Sequence, residues 1–170
     1  MKQRAFSNNE EKGVERMRKE VGKIFVERLS SNSDPLSNIV TIHLFCENAI
    51  NCLIKAKAIG VEDLTRRSRE ETYIPILDSN YATKLYFVFS MGLIDQKLYE
   101  NLRLLNSWRN KAAHNIHEDI KKLPMDFHKY GENENKITPE STENEIVLGV
   151  AFATYVELHK FVEEAYDIKL

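Results

Sequence analysis

Apolar residues recur along most of this chain at spacings of three and four, which is the period of an amphipathic α-helix. The first such stretch runs from about Glu10 to Leu29 and the second from about Leu36 to Ala58. Pro35 suits the first position of the second helix, because proline has no N–H to leave unsatisfied there. Strand patterns are nearly absent, so the chain is predicted to be all-α.

The second predicted helix is apolar around most of its circumference. His43 and Glu47 stand one turn apart inside its apolar arc, and buried polar side chains need hydrogen-bond or ion-pair partners. A helix of this kind is typical of the centre of a bundle, or of a surface that a partner covers.

Two more helices are expected between residues 81 and 114. The first runs from about Tyr81 to Met91 and ends at Gly92, a residue that readily adopts the left-handed conformation of a helix C-terminus. Asp95 can cap the second, in which apolar residues repeat on one face as far as His114.

The last predicted helix begins with a capping box, Thr142-x-x-Glu145, and runs to about Tyr166. Between this helix and the one before it, residues 115–140 are polar and are predicted to form a flexible loop. These elements predict one domain over residues 1–170, folded as an up-and-down bundle of four to five helices.

Composition is that of a soluble intracellular protein. Apolar residues make up 42% of the chain and charged residues 29%. The best candidate for a membrane span, Ile146 to Val156, falls short of the roughly 20 residues required, and the N-terminus has no signal-peptide pattern. Cys46 and Cys52 fall on different faces of one helix, so we expect free thiols, a cytoplasmic location and no membrane attachment.

The net charge of −2 excludes broad coating of nucleic acid, which needs a strongly basic surface. The charges are nevertheless unevenly distributed. Residues 96–122 carry six lysines and arginines against three acids, and residues 132–170 carry nine acids against three lysines. Solvated helix faces explain most such asymmetries, and a local basic face near residue 114 is the alternative.

The segment Arg109–His114 (Arg-Asn-Lys-Ala-Ala-His) closes the fourth predicted helix. Histidine exchanges protons near neutral pH, and an arginine guanidinium suits phosphate oxygens. In RNA cleavage without a metal, His114 would assist attack by the ribose 2′-hydroxyl, and Arg109 would stabilise charge on phosphorus. Asn110 can orient either group. The structural alternatives are a helix-end cation paired with a glutamate for Arg109 and a helix cap for His114.

Helix geometry sets a condition on this chemistry. Five residues of α-helix rotate by about 140° and rise by about 7.5 Å, so Arg109 and His114 do not share a face of a regular helix. They can act on one phosphate if the helix loosens at Ala113-His114, or if a two-fold dimer pairs two copies of the motif.

The spacing of Arg109 and His114, with Asn110 after the arginine, resembles the Arg-x(4–6)-His signature of HEPN-domain proteins. The preceding stretch, with Tyr-Ala-Thr-Lys at 81–84 and Gly-Leu-Ile-Asp at 92–95, is similar to the mannitol-operon-repressor-like branch of that superfamily. The likeness covers about residues 36–116. It implies an all-helical bundle, usually a homodimer, in which paired motifs form a cleft. Many members are metal-independent endoribonucleases, and others keep the fold without known catalysis.

Four further residues are interpreted as supporting this motif. Glu47 is expected to pair with Arg109, either to position the motif or as a structural ion pair at a subunit interface, and His43 belongs to the same polar ladder. Lys111 and Trp108 are candidate RNA contacts, the latter by stacking on a base, although Trp108 is equally suited to a core or an interface. The remaining histidines and acids fit no standard metal site, so no metal and no cofactor is expected.

The resulting hypothesis is a dimeric HEPN-type endoribonuclease of a bacterial defence, toxin–antitoxin or stress system, with Arg109, Asn110 and His114 as its catalytic residues. Its expected partners are a second copy of the chain, an RNA substrate, and an antitoxin or regulatory protein. The alternative is a HEPN-fold regulator or interaction module without catalysis, similar to mannitol-operon-repressor-like proteins.

Overall fold

The computed structural model describes residues 27, 29, 34–59, 75–114, 119–129, 138 and 140–165. The chain divides into two units, Met1–Ser33 and Asp34–Leu170, and the helices named below belong to the second. The helix predicted from Glu10 to Leu29 therefore lies almost wholly outside the described residues. The single domain over residues 1–170 stays a prediction.

Five α-helices are described in full. They are α1 (Pro35–Ile59), α2 (Tyr81–Ser90), α3 (Gln96–His114), α4 (Glu143–Val147) and α5 (Ala153–Ala165). A 3₁₀ turn follows α3 at Ile120–Lys122, and a π-helical turn at Leu148–Phe152 joins α4 to α5. No strand occurs among the described residues. The prediction of an all-α bundle is confirmed.

Side-chain caps and one glycine fix several helix ends. The Asp34 carboxylate accepts hydrogen bonds from backbone N–H groups in the first turn of α1, at 3.1 and 3.2 Å, and Asp95 does the same for α3 at 2.7 Å. Thr142 and Glu145 form the predicted capping box of α4. Beyond α2, Gly92 has a φ of 67°, a conformation that glycine adopts without strain.

Helix α1 forms the centre of the bundle, because α2, α3, α4 and α5 all pack against it. Its core-facing apolar side chains follow one another at helical spacing and are almost wholly removed from solvent: Ile39, Ile42, Cys46, Ala49, Ile50, Leu53 and Ile54. Burying a leucine or isoleucine side chain contributes roughly 1.5–3 kcal/mol, so this stripe is a major source of stability. The prediction of a central helix is confirmed.

Length and composition alone would let α1 cross a membrane. The stretch Pro35–Lys57 contains a window with a mean hydropathy of 1.3, so the expectation that no segment approaches a membrane span is wrong. Of that window, 44% is buried inside the bundle, and the core helix of a bundle meets the same criterion. The helix is therefore only a weak indication of a membrane, and the cytoplasmic location stays a prediction.

Part of the predicted flexible loop is anchored on α3. The indole N–H of Trp108 donates to the Pro124 carbonyl at 2.8 Å, and the Phe127 ring packs edge-on against the indole with centroids 5.0 Å apart. The side-chain amide of Asn101 exchanges two hydrogen bonds with the backbone of His128, at 2.8 and 2.7 Å. Residues 119–129 are thus held on the bundle and do not form the free loop that the sequence predicts.

The last helix departs from regular α-helical geometry. The sequence predicts one uninterrupted helix from residue 142 to 166, whereas a π-helical turn lies at Leu148–Phe152. A π turn accommodates one extra residue and so changes which side chains face the core. The Thr154 hydroxyl donates to the Val150 carbonyl at 3.0 Å, a contact that commonly bends helices.

Replacing Trp108 by phenylalanine would leave the Pro124 carbonyl without its donor and shrink a fully buried side chain. We expect Trp108→Phe to lower the free energy of unfolding by about 2 kcal/mol. Chemical denaturation followed by circular dichroism would measure the change. Phe127→Leu keeps the hydrogen bond and serves as the matched control, with a smaller loss. An effect of Trp108→Phe no larger than that of the control would contradict the anchoring role.

Candidate functional site

The motif formed by Arg109, Asn110 and His114 occupies the last turns of α3, which remains α-helical as far as His114. Asn110 and His114 are exposed, and Arg109 is half-buried. Because the helix does not loosen at Ala113-His114, the rotation of about 140° between Arg109 and His114 applies. Within one chain the two side chains therefore do not share a face.

The charge of Arg109 acts on the side of α3 that turns towards α1. Its Nη1 donates to Asn110 Oδ1 at 3.1 Å, and its positive charge helps to lower the pKa of His43 on α1. Among the described residues Arg109 forms no ion pair. The predicted pairing of Arg109 with Glu47 is therefore wrong.

Glu47 instead binds a lysine of α2. Lys84 Nζ lies 2.8 Å from Glu47 Oε1, with 7% of the lysine side chain and 28% of the glutamate side chain exposed. A lysine in a short helix is usually a surface residue. The sequence of α2 therefore does not predict that Lys84 pairs with Glu47. Lys84 is buried because it follows buried Tyr81 by three residues, on the face of α2 that packs against α1.

His43 is buried where α1 contacts α2 and α3. Its Nε2 lies 3.0 Å from Asn106 Oδ1, and its ring lies against that of Tyr81 with centroids 4.2 Å apart. Burial lowers the pKa of His43; the hydrogen bond to Asn106 opposes this effect, and the charge of Arg109 adds to it. The imidazole is therefore neutral at pH 7 and donates from Nε2. Its Nδ1 is buried with no hydrogen-bond partner among the described residues, which also favours the neutral form.

A groove of about 380 Å³ runs between α2 and α3 beside the motif. Two cations, Arg103 and Lys111, line it together with three uncharged polar and three largely apolar side chains: Asn106, Ser107, Asn110, Ala82, Leu85 and Tyr99. No aspartate or glutamate is found among these lining residues. The groove thus combines positive charge, hydrogen-bonding groups and apolar surface.

His114 extends the groove-lining face of α3. Residues three or four positions apart share a face of a helix, and such spacings connect four residues of α3: Arg103, Ser107, Asn110 and His114. Lys111 and His114 are three residues apart and are neighbours on the helix surface. His114 and Asn110 therefore belong with the groove, whereas Arg109 leaves the helix about 140° away from His114 and contacts the groove through its hydrogen bond to Asn110.

Of the two residues predicted to contact RNA, only Lys111 reaches the surface. Trp108 is fully buried, with its indole N–H on the Pro124 carbonyl and its ring against Phe127. It is a core aromatic, and no face of its ring is available to a base. Sequence reasoning missed Arg103 and Asn106, because an isolated polar residue before a motif carries no signature of its own.

Comparisons with protein-family models, with characterised proteins and with solved structures found no match to this chain. The resemblance to HEPN proteins therefore stays a prediction from the sequence of residues 36–116. Within the described ranges, no group of three or more histidine, cysteine, aspartate or glutamate side chains is arranged to hold a metal ion.

The lowered pKa of His43 predicts a pH-dependent stability. The unfolded chain binds a proton at this histidine near pH 6.5, its ordinary value, whereas the folded chain does not. Its contribution to the free energy of unfolding is therefore full above about pH 6.5 and is lost as the pH falls towards the lowered folded value. Denaturation curves at about pH 7.5 and about pH 5.5 should show this loss.

The variant His43→Gln keeps a donor for Asn106 and removes the titrating group, so it should flatten the difference between the two pH values. The unmodified chain is the reference for both pH values. A difference that persists undiminished in His43→Gln would refute the assignment to His43.

Removing the Glu47 carboxylate would leave Lys84 as a buried cation without its partner. We expect Glu47→Gln to lower the free energy of unfolding by about 2 kcal/mol, less than for a fully buried pair because Glu47 is partly exposed. The control Lys160→Gln breaks the more exposed pair with Glu157 and should change stability by less than about 1 kcal/mol. Thermal or chemical denaturation compares the two, and equal effects would count against the structural role of Glu47.

Proposed function

We propose that this chain is a metal-independent, HEPN-type endoribonuclease that acts as a homodimer in a bacterial defence, toxin–antitoxin or stress system. The observation that supports this most strongly is the exposure of His114 and Asn110 at the end of α3, on the face that lines a groove with two cations. A proton-transfer group that substrate can reach, beside a positive surface, suits phosphodiester cleavage.

In this proposal His114 is the general acid and base. It accepts the proton of the ribose 2′-hydroxyl as that oxygen attacks phosphorus, and the resulting imidazolium then gives this proton to the 5′-oxygen as the bond between phosphorus and that oxygen breaks. The products are a 2′,3′-cyclic phosphate and a 5′-hydroxyl. Arg109 stabilises the charge that develops on the phosphate oxygens, and Asn110, which accepts a hydrogen bond from Arg109 Nη1, orients the guanidinium.

The separation of Arg109 from His114 supports a site built from two chains. In a two-fold dimer a contact between Arg109 of one protomer and His114 of its partner occurs twice, so two sites form. This arrangement would place a guanidinium of one protomer beside each His114 of the other. The antitoxin or regulatory partner stays a prediction.

The enzyme is tested by cleavage of end-labelled RNA in excess EDTA. The unmodified chain should cleave, and His114→Ala and Arg109→Ala should each lower the rate by about 100-fold or more, the usual contribution of acid–base or charge-stabilising groups. His128→Ala removes an exposed histidine outside the motif and should retain activity. A folded dimer that cleaves no RNA would instead favour the regulator without catalysis.

Mixing the two inactive variants tests whether the site is shared between chains. A dimer of Arg109→Ala with His114→Ala has one intact pair, so random reassortment should restore about a quarter of the original activity. Restoration to that level supports the shared site. An active unmodified chain with no restoration in the mixture would assign the site to a single chain.

A further inference from the structure

We propose that the groove between α2 and α3 holds an unpaired stretch of the RNA strand beside the cleaved phosphate, with Arg103 and Lys111 on backbone phosphates and Tyr86 stacked on a base. The inference rests on the proposed function for its substrate, whereas binding in the groove does not require cleavage. It assigns roles to two residues outside the motif, Arg103 and Tyr86.

The spacing of the two cations favours an extended polyanion. Arg103 and Lys111 are both exposed and both line the groove. Eight residues of α-helix separate them by about 12 Å along the axis, so positive charge is spread along the groove and matches a ligand whose negative charges repeat along its length. This charge complementarity distinguishes a nucleic-acid strand from a ligand with a single phosphate.

Aromatic contacts hold Arg103 at the groove wall. Its guanidinium carbon lies 5.7 Å from the centroid of the Tyr99 ring, a cation–π arrangement. The Tyr99 ring is itself stacked on Phe89 with centroids 4.3 Å apart. A cation that is positioned before binding loses less side-chain entropy when a phosphate arrives.

The acid nearest to Arg103 in the sequence lies outside the groove. Glu100 accepts a hydrogen bond from Gln96 Nε2 at 2.5 Å through one carboxylate oxygen and contacts His128 Nε2 through the other. Both contacts lower the pKa of Glu100, and its charge also attracts Arg103, which helps to lower that pKa. The described side chains that line the groove nevertheless include two cations and no carboxylate, although the chain as a whole carries a net charge of −2.

Amide and hydroxyl groups between the cations suit the edges of unpaired bases. Asn106, Ser107 and Asn110 line the middle of the groove. The Oδ1 of Asn106 accepts a hydrogen bond from His43 Nε2. The Nδ2 group of the same amide has no hydrogen-bond partner among the described residues. Base edges are free to accept such hydrogen bonds in a single strand and are occupied in a duplex, so the groove should favour a single strand.

Tyr86 offers an aromatic surface beside the groove. It follows the lining residue Ala82 by four positions on α2 and therefore lies on the same side of that helix. Its side chain is 62% exposed, an unusual state for a large aromatic residue. Stacking on an exposed ring is a common way to bind bases without sequence preference.

The test measures binding of a fluorescent 2′-O-methyl oligoribonucleotide, which lacks the attacking hydroxyl, by anisotropy over a range of salt concentrations. Arg103→Ala and Tyr86→Ala should each weaken binding about tenfold. Arg103→Ala should also lower the slope of log affinity against log salt by about 0.7, whereas Tyr86→Ala should leave the slope unchanged. Lys97→Ala removes an exposed cation of α3 outside the groove and is the matched control.

The outcomes separate this inference from the proposed function. Equal losses for Lys97→Ala and Arg103→Ala, unchanged binding in both groove variants, or equal affinity for duplex and single strand would overturn the groove assignment. Competition by a mononucleotide as strong as by the strand would also overturn it, in favour of a small ligand. If groove variants lose binding while the unmodified chain cleaves no RNA, the groove assignment holds and the enzyme does not. If the unmodified chain cleaves RNA and the groove variants bind as tightly as it does, the enzyme holds and the groove assignment does not.

Discussion

The burial of α1 at the centre of the bundle is the constraint on which the other contacts depend. His43 and Glu47 are two of the polar side chains on its packed surface, where burial requires a partner. Glu47 binds Lys84 of α2 at 2.8 Å, and His43 binds Asn106 of α3 at 3.0 Å. Because such short contacts tolerate little displacement, they set the positions of α2 and α3 relative to α1. The groove lies between those two helices, so its shape depends on both contacts.

Regular helix geometry then divides the motif between two environments. The inner face of α3 is held against α1 by buried side chains, and Asn106 stands at the edge of that contact. Arg109 acts electrostatically on His43 from this side, whereas Asn110 and His114 continue the exposed face. In the proposed function, a second chain brings an Arg109 and a His114 to the same phosphate. The reason for that proposal is the period of the α-helix, which separates the two residues of one chain by about 140°.

Local signals in the sequence predicted the fold well. Among the described helices, periodicity, the Asp95 cap and the Thr142-x-x-Glu145 capping box placed the ends within one or two residues, but they did not predict the π-helical turn inside the last one. The exact partners within the site were not predictable in the same way. The choice of Lys84 for Glu47, and the docking of residues 119–129 on Trp108, depend on contacts between segments distant in sequence. A single sequence shows which residues could form such contacts, but it does not show which helix faces pack against each other.

The neutral state of His43 means that this side chain adds no positive charge to the interior between α1 and α3. A protonated imidazole there would be buried and would face the charge of Arg109, so both burial and repulsion keep it neutral. A neutral His43 still donates to Asn106 and so holds that amide at the groove without adding charge behind it. The cations that remain accessible, Arg103 and Lys111, stand on the face that carries His114. In the proposed function, an anionic strand bound to that face would reach His114 first, and Arg109 of the partner protomer would supply the stabilising guanidinium.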